Sequence, residues 1–266
     1  MLAGAAATVL CLLVWPAGAA GGPEFSNEQA VQHSQAAIGR TVDAEGFQDR
    51  DERPVDLARF RGKPLVISMV YTSCYHTCPL ITQALERSVI AAQGTFGADG
   101  FSVLTVGFDT REDSPKRMRA YAAERGIRVD NWHFLSATPD AVKRLSDSLG
   151  FIFYPSPRGF DHLAQTTVVD EQGKVYAQIY GAEFTPPALV EPLKALIFGT
   201  GAPLVSVEGI VQRIRLFCTI YDPRSDRYRF DYSIFVGLII GAFCLLGIAT
   251  IIGRNAWRLW SDGRSA

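Results

Sequence analysis

Residues 70–82 read VYTSCYHTCPLIT and place Cys74 and Cys78 four positions apart, just after an apolar run and just before a proline. Such a pair could form a structural disulfide, work as a redox couple, or supply two sulfur ligands to a soft metal ion. A disulfide across so short a loop would add little stability, because the entropic gain grows with the length of chain enclosed. The pair also lies at a strand-to-helix turn, where α/β folds gather their ligands at the carboxyl ends of strands. Both points favour a working site over a staple.

A dithiol redox site has two intervening residues in its usual form, and this pair has three. Oxidoreductases of the thioredoxin-like fold also carry a proline immediately before the strand facing the cysteines, and LAQTTVV (163–169) has none. A metal site needs a third ligand, and the chain has four histidines. His33 falls in a polar lead-in and reads as solvated. His133, in NWHFLS, alternates along a strand and reads as a structural histidine. His76 lies between the cysteines, with its side chain expected to point away from the face they share. His162 falls in the Gly- and Pro-rich segment YPSPRGFDHLAQ (154–165), directly before a strand expected to run beside the one that delivers Cys74, so that this loop can fold over the thiols. Two thiolates and one imidazole make a soft donor set of low coordination number, which suits Cu(I) and can hold Cu(II). Zinc in a closed site would want a fourth ligand. The expected metal ligands are therefore Cys74, Cys78 and His162, and the expected metal is copper.

The elements that must position these residues are legible as alternating strand and helix patterns. KPLVISMVY (63–71), FSVLTVGFD (101–109), AQTTVVD (164–170) and KVYAQIYG (174–181) read as strands, with a shorter one at NWHFLS (131–136). Helical spacing appears at Leu80, Ile81, Ala84, Leu85 and Val89, then at Met118, Tyr121 and Ala122, then at Val142, Leu145 and Leu149. Ser114-Pro115, Thr138-Pro139 and Thr185-Pro186 each set a capping hydroxyl before a proline at the first helical position. Cys78-Pro79 has the same form, which predicts Cys78 as an N-cap whose sulfur is held as thiolate by backbone N–H groups and the helix dipole. Residues 168–181 read as a hairpin turning at Gly173. The order predicts an α/β fold, a thioredoxin-like sandwich with a central mixed sheet, over residues 25–200.

The ends have other uses. From Ile234 to Ile252, 19 consecutive residues carry no charge, ~28 Å as a helix, which predicts a transmembrane helix over 232–253 and a cytoplasmic tail over 254–266. Tyr232, Trp257 and Trp260 sit where interfacial aromatics belong, and Arg254, Arg258 and Arg264 follow the span. Residues 1–20 read as a signal peptide or an N-terminal anchor, although no Lys or Arg precedes the apolar stretch. Residues 201–231 read as a juxtamembrane linker with room for one short strand or amphipathic turn. This layout puts the main domain in the periplasm, held to a bacterial inner membrane by a single C-terminal helix. The net charge of −1 is spread without long runs of one sign, which excludes a nucleic-acid partner. Of the five cysteines, Cys11 lies in the leader, Cys244 in the apolar span, and Cys218 alone in RLFCTIYDP.

VYTSCYHTCP, VLTVGFDTREDSPKRMRAYA and an Asp-His pair whose histidine follows the first cysteine by 88 residues resemble the Sco/SenC/PrrC family of copper chaperones over roughly residues 40–197. The resemblance implies a thioredoxin-like fold and copper bound by Cys74, Cys78 and His162. It further implies work on the CuA centre of cytochrome c oxidase, either delivering copper or keeping the oxidase's cysteines reduced. The implied partners are the oxidase subunit carrying CuA, other periplasmic copper carriers and thiol reductants. Family members are usually anchored by an N-terminal helix, and His76 between the cysteines departs from their pattern. Asp109, Asp113 and Asp161 stand where they could tune the site's charge or hydrogen-bond the histidine. Alternatively, Asp109 and Asp113 only cap the helix that starts at Pro115. The competing function is a thiol-disulfide reductase using Cys74 and Cys78. A peroxidase-like enzyme would need a single peroxidatic cysteine, against the paired spacing.

Overall fold

Three segments, Leu65–Val70, Ser102–Gly107 and Gln165–Val169, are buried along their whole length. Strands buried on both faces must be covered by helices on both sides, the mark of an α/β sandwich. The computed structural model describes residues 25–199, 219–222, 227–230 and 233–262 and shows this arrangement. The predicted leader with Cys11, and Cys218 with residues 201–218 of the predicted linker, lie outside the described residues.

In chain order the domain runs α1 (Asn27–Gln35), β1 (Phe47–Gln48), β2 (Pro54–Val55), a 3-10 turn (Leu57–Phe60), β3 (Leu65–Val70), α2 (Thr77–Phe96), β4 (Ser102–Gly107), α3 (Pro115–Glu124), β5 (Trp132–Ala137) and α4 (Pro139–Leu149). It continues with β6 (Phe153–Ser156), β7 (Gly159–His162), β8 (Gln165–Val169), β9 (Val175–Tyr180) and α5 (Pro186–Gly199). Seven strands form one sheet in the order β2-β1-β5-β4-β3-β8-β9. β3, β4 and β5 pair in parallel, while β8 runs antiparallel to β3 and β9 antiparallel to β8. The sheet is therefore mixed, and the fold is thioredoxin-like.

Local chemistry explains the element starts. Ser114 and Thr138 accept hydrogen bonds from the N–H groups of Arg117 and Ala141, ahead of Pro115 and Pro139 at first-turn positions that need no donor. α4 ends at Gly150 in the left-handed region, φ 62°. A Cβ there would lie 2.6 Å from the His33 carbonyl oxygen, so glycine also lets α1 dock. The β8–β9 hairpin turns at Gly173, φ 84°, where Asp170 Oδ1 accepts the N–H groups of Gln172 and Lys174.

Three features depart from the sequence reading. The polar lead-in forms α1, which carries an exposed His33 and is held to the sheet by hydrogen bonds among Ser34, Gln178 and Tyr180. The segment expected as a loop over the thiols is the hairpin β6–β7, a separate two-stranded sheet. Beyond the domain, a second hairpin of β10 (Thr219–Asp222) and β11 (Arg227–Phe230) precedes α6 (Ser233–Asp262). Within α6, Val236–Arg254 has mean hydropathy 2.5 and is long and apolar enough to cross a membrane. Its large apolar side chains, including Leu238, Phe243 and Ile251, are exposed, and the helix runs on through the stretch expected as a tail.

The core is one cluster in which Val66, Leu85, Val103, Phe134 and Leu145 are all buried. Leu85→Ala is expected to cost about 3 kcal/mol and to lower Tm by roughly 6–12 °C, read by thermal unfolding of the full chain in detergent.

Candidate metal centre

β3 ends at Val70, and the chain turns at once, with the Cys74 N–H donating to the Tyr71 carbonyl at 3.1 Å. The turn is braced from beneath by Asp113, which is buried and accepts from the Thr72 N–H at 2.8 Å, the Thr72 hydroxyl at 2.7 Å and the Asp109 N–H at 2.9 Å. Asp113 therefore neither caps α3, which Ser114 does, nor reaches the histidine. It fixes the loop two residues before Cys74. Burial raises its pKa against the hydrogen bonds that lower it. Gly107 permits the approach, since a Cβ there would lie 2.5 Å from the Asp113 Cβ.

Helix α2 begins at Thr77, with His76 at the N-cap, so Cys78 is a first-turn residue and not the predicted cap. Pro79 falls later in the same turn, where its missing N–H still costs nothing. The Cys78 N–H donates to Cys74 Sγ at 3.3 Å, so the sulfur that does the capping is Cys74. The electrostatics follow that swap. The Cys78 thiol donating to its sulfur is the largest influence on Cys74 and lowers its pKa to about 4, with burial opposing and the N–H groups of Cys78 and His76 and the Tyr71 hydroxyl assisting. Cys78 is raised far above the usual thiol range, first by that same bond and then by burial. The prediction that Cys78 is held as thiolate is thus reversed: Cys74 is the thiolate and Cys78 its donor. Both are free thiols, Cys74 being 7% exposed and Cys78 0%.

His162 arrives from β7, where alternation puts Phe160 and His162 on one face and leaves Asp161 exposed on the other. The imidazole is set among aromatic rings, with centroids 5.5 Å from Phe108, 5.6 Å from Phe151 and 5.9 Å from Tyr71. Its Nδ1 lies 3.0 Å from the Leu163 carbonyl, which fixes the ring and favours a proton on Nδ1 with Nε2 free. Burial lowers its pKa, so the ring is neutral at pH 7, while the nearby Cys74 charge pulls the other way. The backbone carbonyl takes the place expected for Asp161. His76 and Tyr75 project outward, Tyr75 being 95% exposed. His133 packs its ring on Phe60 at 5.1 Å, as expected of a structural histidine.

The structure thus joins Cys74 to Cys78 directly and brings His162 to the same aromatic wall. Among the described residues no three His, Cys, Asp or Glu side chains converge into a finished metal site. Tyr71 was missed by the sequence reading. Its ring packs on Phe108 at 5.4 Å and Phe160 at 5.3 Å, and its hydroxyl end lies against Gly159. The available signal was its place as the first residue past β3, three before Cys74.

Comparison with known proteins settles the family. Residues 41–197 match the family described as SCO1/SenC. The chain belongs to this family. It is 26% identical over 146 residues to the SCO1 protein homolog of Bacillus subtilis (strain 168), covering 53% of this chain and 74% of that protein. A crystal structure of a candidate electron transfer protein from Aquifex aeolicus VF5 is similar at 29% identity and TM-score 0.56, covering 62% of this chain and 96% of that one. Yeast Sco1 with copper bound shares the fold at 16% identity and TM-score 0.52, over 65% of this chain and 98% of that one. Membership in SCO1/SenC and the thioredoxin-like fold agree with the sequence reading.

The asymmetry of the two thiols gives a pH prediction. A thiol depressed on folding binds its proton in the unfolded chain but not in the folded one between about pH 4 and the ordinary thiol range, so its contribution to stability grows with pH across that window and is lost below it. In the reduced, metal-free chain, iodoacetamide should label Cys74 at pH 5.5 and leave Cys78 unlabelled at pH 8, as read by peptide mass spectrometry.

Proposed function

We propose that this protein is a membrane-tethered copper chaperone that binds one ion through Cys74, Cys78 and His162. It delivers the ion to the CuA centre of cytochrome c oxidase or keeps that centre's cysteines reduced. The observation that carries the reading is the Cys78 N–H to Cys74 Sγ contact of 3.3 Å, which holds two soft sulfurs at one helix terminus. A neutral imidazole on the adjoining aromatic wall supplies a third donor of suitable softness. Membership of SCO1/SenC supports the choice of copper and of an oxidase assembly role.

Copper here is cargo. Binding needs Cys78 to lose its proton, which the ion's charge promotes. Transfer proceeds by ligand exchange, in which a partner thiolate or thioether replaces one donor at a time and the ion is never released to water. A site with two donors preassembled and the third on a separate hairpin suits such exchange. The apolar helix in α6 supports tethering to a membrane, and this reading puts the domain in the periplasm.

A thiol-disulfide reductase is the second reading, and the thiol asymmetry favours it specifically. A depressed Cys74 beside a protonated Cys78 resembles an attacking and a resolving thiol. His162→Ala should leave the fold unchanged and weaken Cu(I) binding by about 100-fold in chelator competition, in line with loss of one ligand. Unchanged affinity rejects the three-ligand site. Turnover of a disulfide substrate at equal rates with and without copper, by a protein that retains no copper under reducing conditions, would establish the reductase instead.

A further inference from the structure

The backbone and the side chain of Phe108 serve different parts of the molecule. Phe108 directly follows β4, and its N–H donates to the Val70 carbonyl at 2.9 Å, at the end of the strand that delivers Cys74. The next N–H, that of Asp109, goes to Asp113, the carboxylate that also holds Thr72. The Phe108 backbone is therefore fixed in the same frame as the thiols.

Its ring, in a residue only 3% exposed, packs on the hairpin instead. It lies 4.7 Å from Phe153 of β6, and 5.3 Å from Phe160 and 5.5 Å from His162 of β7. Phe153 and His162 are direct partners in the β6–β7 register, so one ring meets both members of a cross-strand pair. Tyr71, the other ring carried at the end of a central strand, meets only β7 among the hairpin's rings, at Phe160 and His162. Phe151 also meets His162, at 5.6 Å, but it lies in the segment leading into the hairpin and is not bonded to the frame of the thiols.

No strand pairing joins the hairpin to the seven-stranded sheet. Beyond the chain connection through Leu163, the imidazole is placed by ring packing. The Phe108 and His162 rings cross at 76°, edge to face, an arrangement that fixes orientation as well as distance. Leucine would fill most of the same volume and offer no flat ring to set that angle.

We propose that Phe108 is a positioning residue of the copper site, the side chain that sets the His162 imidazole relative to the two sulfurs. The inference rests on the reading in which Cys74, Cys78 and His162 hold copper. Phe108 touches no metal in this scheme and acts only through His162.

The test uses the full chain in detergent, reduced, with Phe108→Leu and with Phe108→Met as a second, more adaptable replacement. Metal-free protein is treated with diethyl pyrocarbonate, which acylates neutral imidazole, and modification of His162 is followed by peptide mass spectrometry, with the exposed His33 and His76 as internal references. Expected is about tenfold faster modification of His162 alone, the scale of a lost aromatic pair. Cu(I) affinity by chelator competition should fall about tenfold in the same variants, and should not fall further when Phe108→Leu is added to His162→Ala, since coupled residues are non-additive. An unchanged rate at His162 in both variants overturns the positioning role. Faster modification with unchanged copper affinity overturns its bearing on the site, and an equal loss of affinity in the His162→Ala background replaces it with general packing. If the parent protein binds no copper, the copper reading fails by itself, and the modification rates, which need no metal, still decide whether Phe108 holds His162.

Discussion

The site depends on one weak-looking contact, a backbone N–H at the start of α2 given to a sulfur 3.3 Å away. A helix start carries unpaired donors and the positive end of the dipole, so an acceptor placed there is drawn toward its charged form. Because Cys74 fills that place, its neighbour four residues on becomes a buried donor, and two chemically identical side chains acquire opposite protonation preferences. The rest of the turn serves to keep that sulfur in place. Parallel pairing of β3 with β4 brings the loop of Asp113 beside the loop of Cys74, and three hydrogen bonds to one buried carboxylate stiffen the approach.

The histidine is held on different terms. Its surroundings are aromatic rings and a single carbonyl, which keep it neutral and oriented yet form few directional bonds. The sulfur pair is thus placed by hydrogen bonds of the main sheet's loops, and the imidazole by ring packing from a separate hairpin.

The sequence revealed the framework better than the contacts. Apolar runs, helical spacing and Ser-Pro and Thr-Pro starts identified β3, β4, β5, β8, β9 and the helices α3 and α4, because each is set by local pattern. The start of α2 was misread by two residues. Proline is tolerated anywhere in a first turn, so Cys78-Pro79 does not fix which cysteine does the capping, and the assignment of the thiolate went to the wrong sulfur. The hairpin β6–β7 was hidden by two prolines and a glycine, which mimic a loop. Asp113 and Tyr71 were illegible in role because their partners, Thr72 and Phe160, are 41 residues and a whole sheet away. α1 escaped because it is polar and is docked by the side chains of Gln178 and Tyr180, partners no local window contains.

The same topology separates the two poles of the domain. Cys74 and Asp113 follow β3 and β4, whereas Lys63, Pro64 and Gly100 precede those strands and share a cavity with Leu196 and Ile197 of α5. The last turns of α5 therefore lie at the pole opposite the two thiols. The other end of the domain is different, for Phe25 packs its ring on Tyr154 of the hairpin at 6.3 Å. The loops before β3 and β4 and the end of α5 thus share one pole of the domain, while Tyr75 and His76 are exposed beside the thiols at the other.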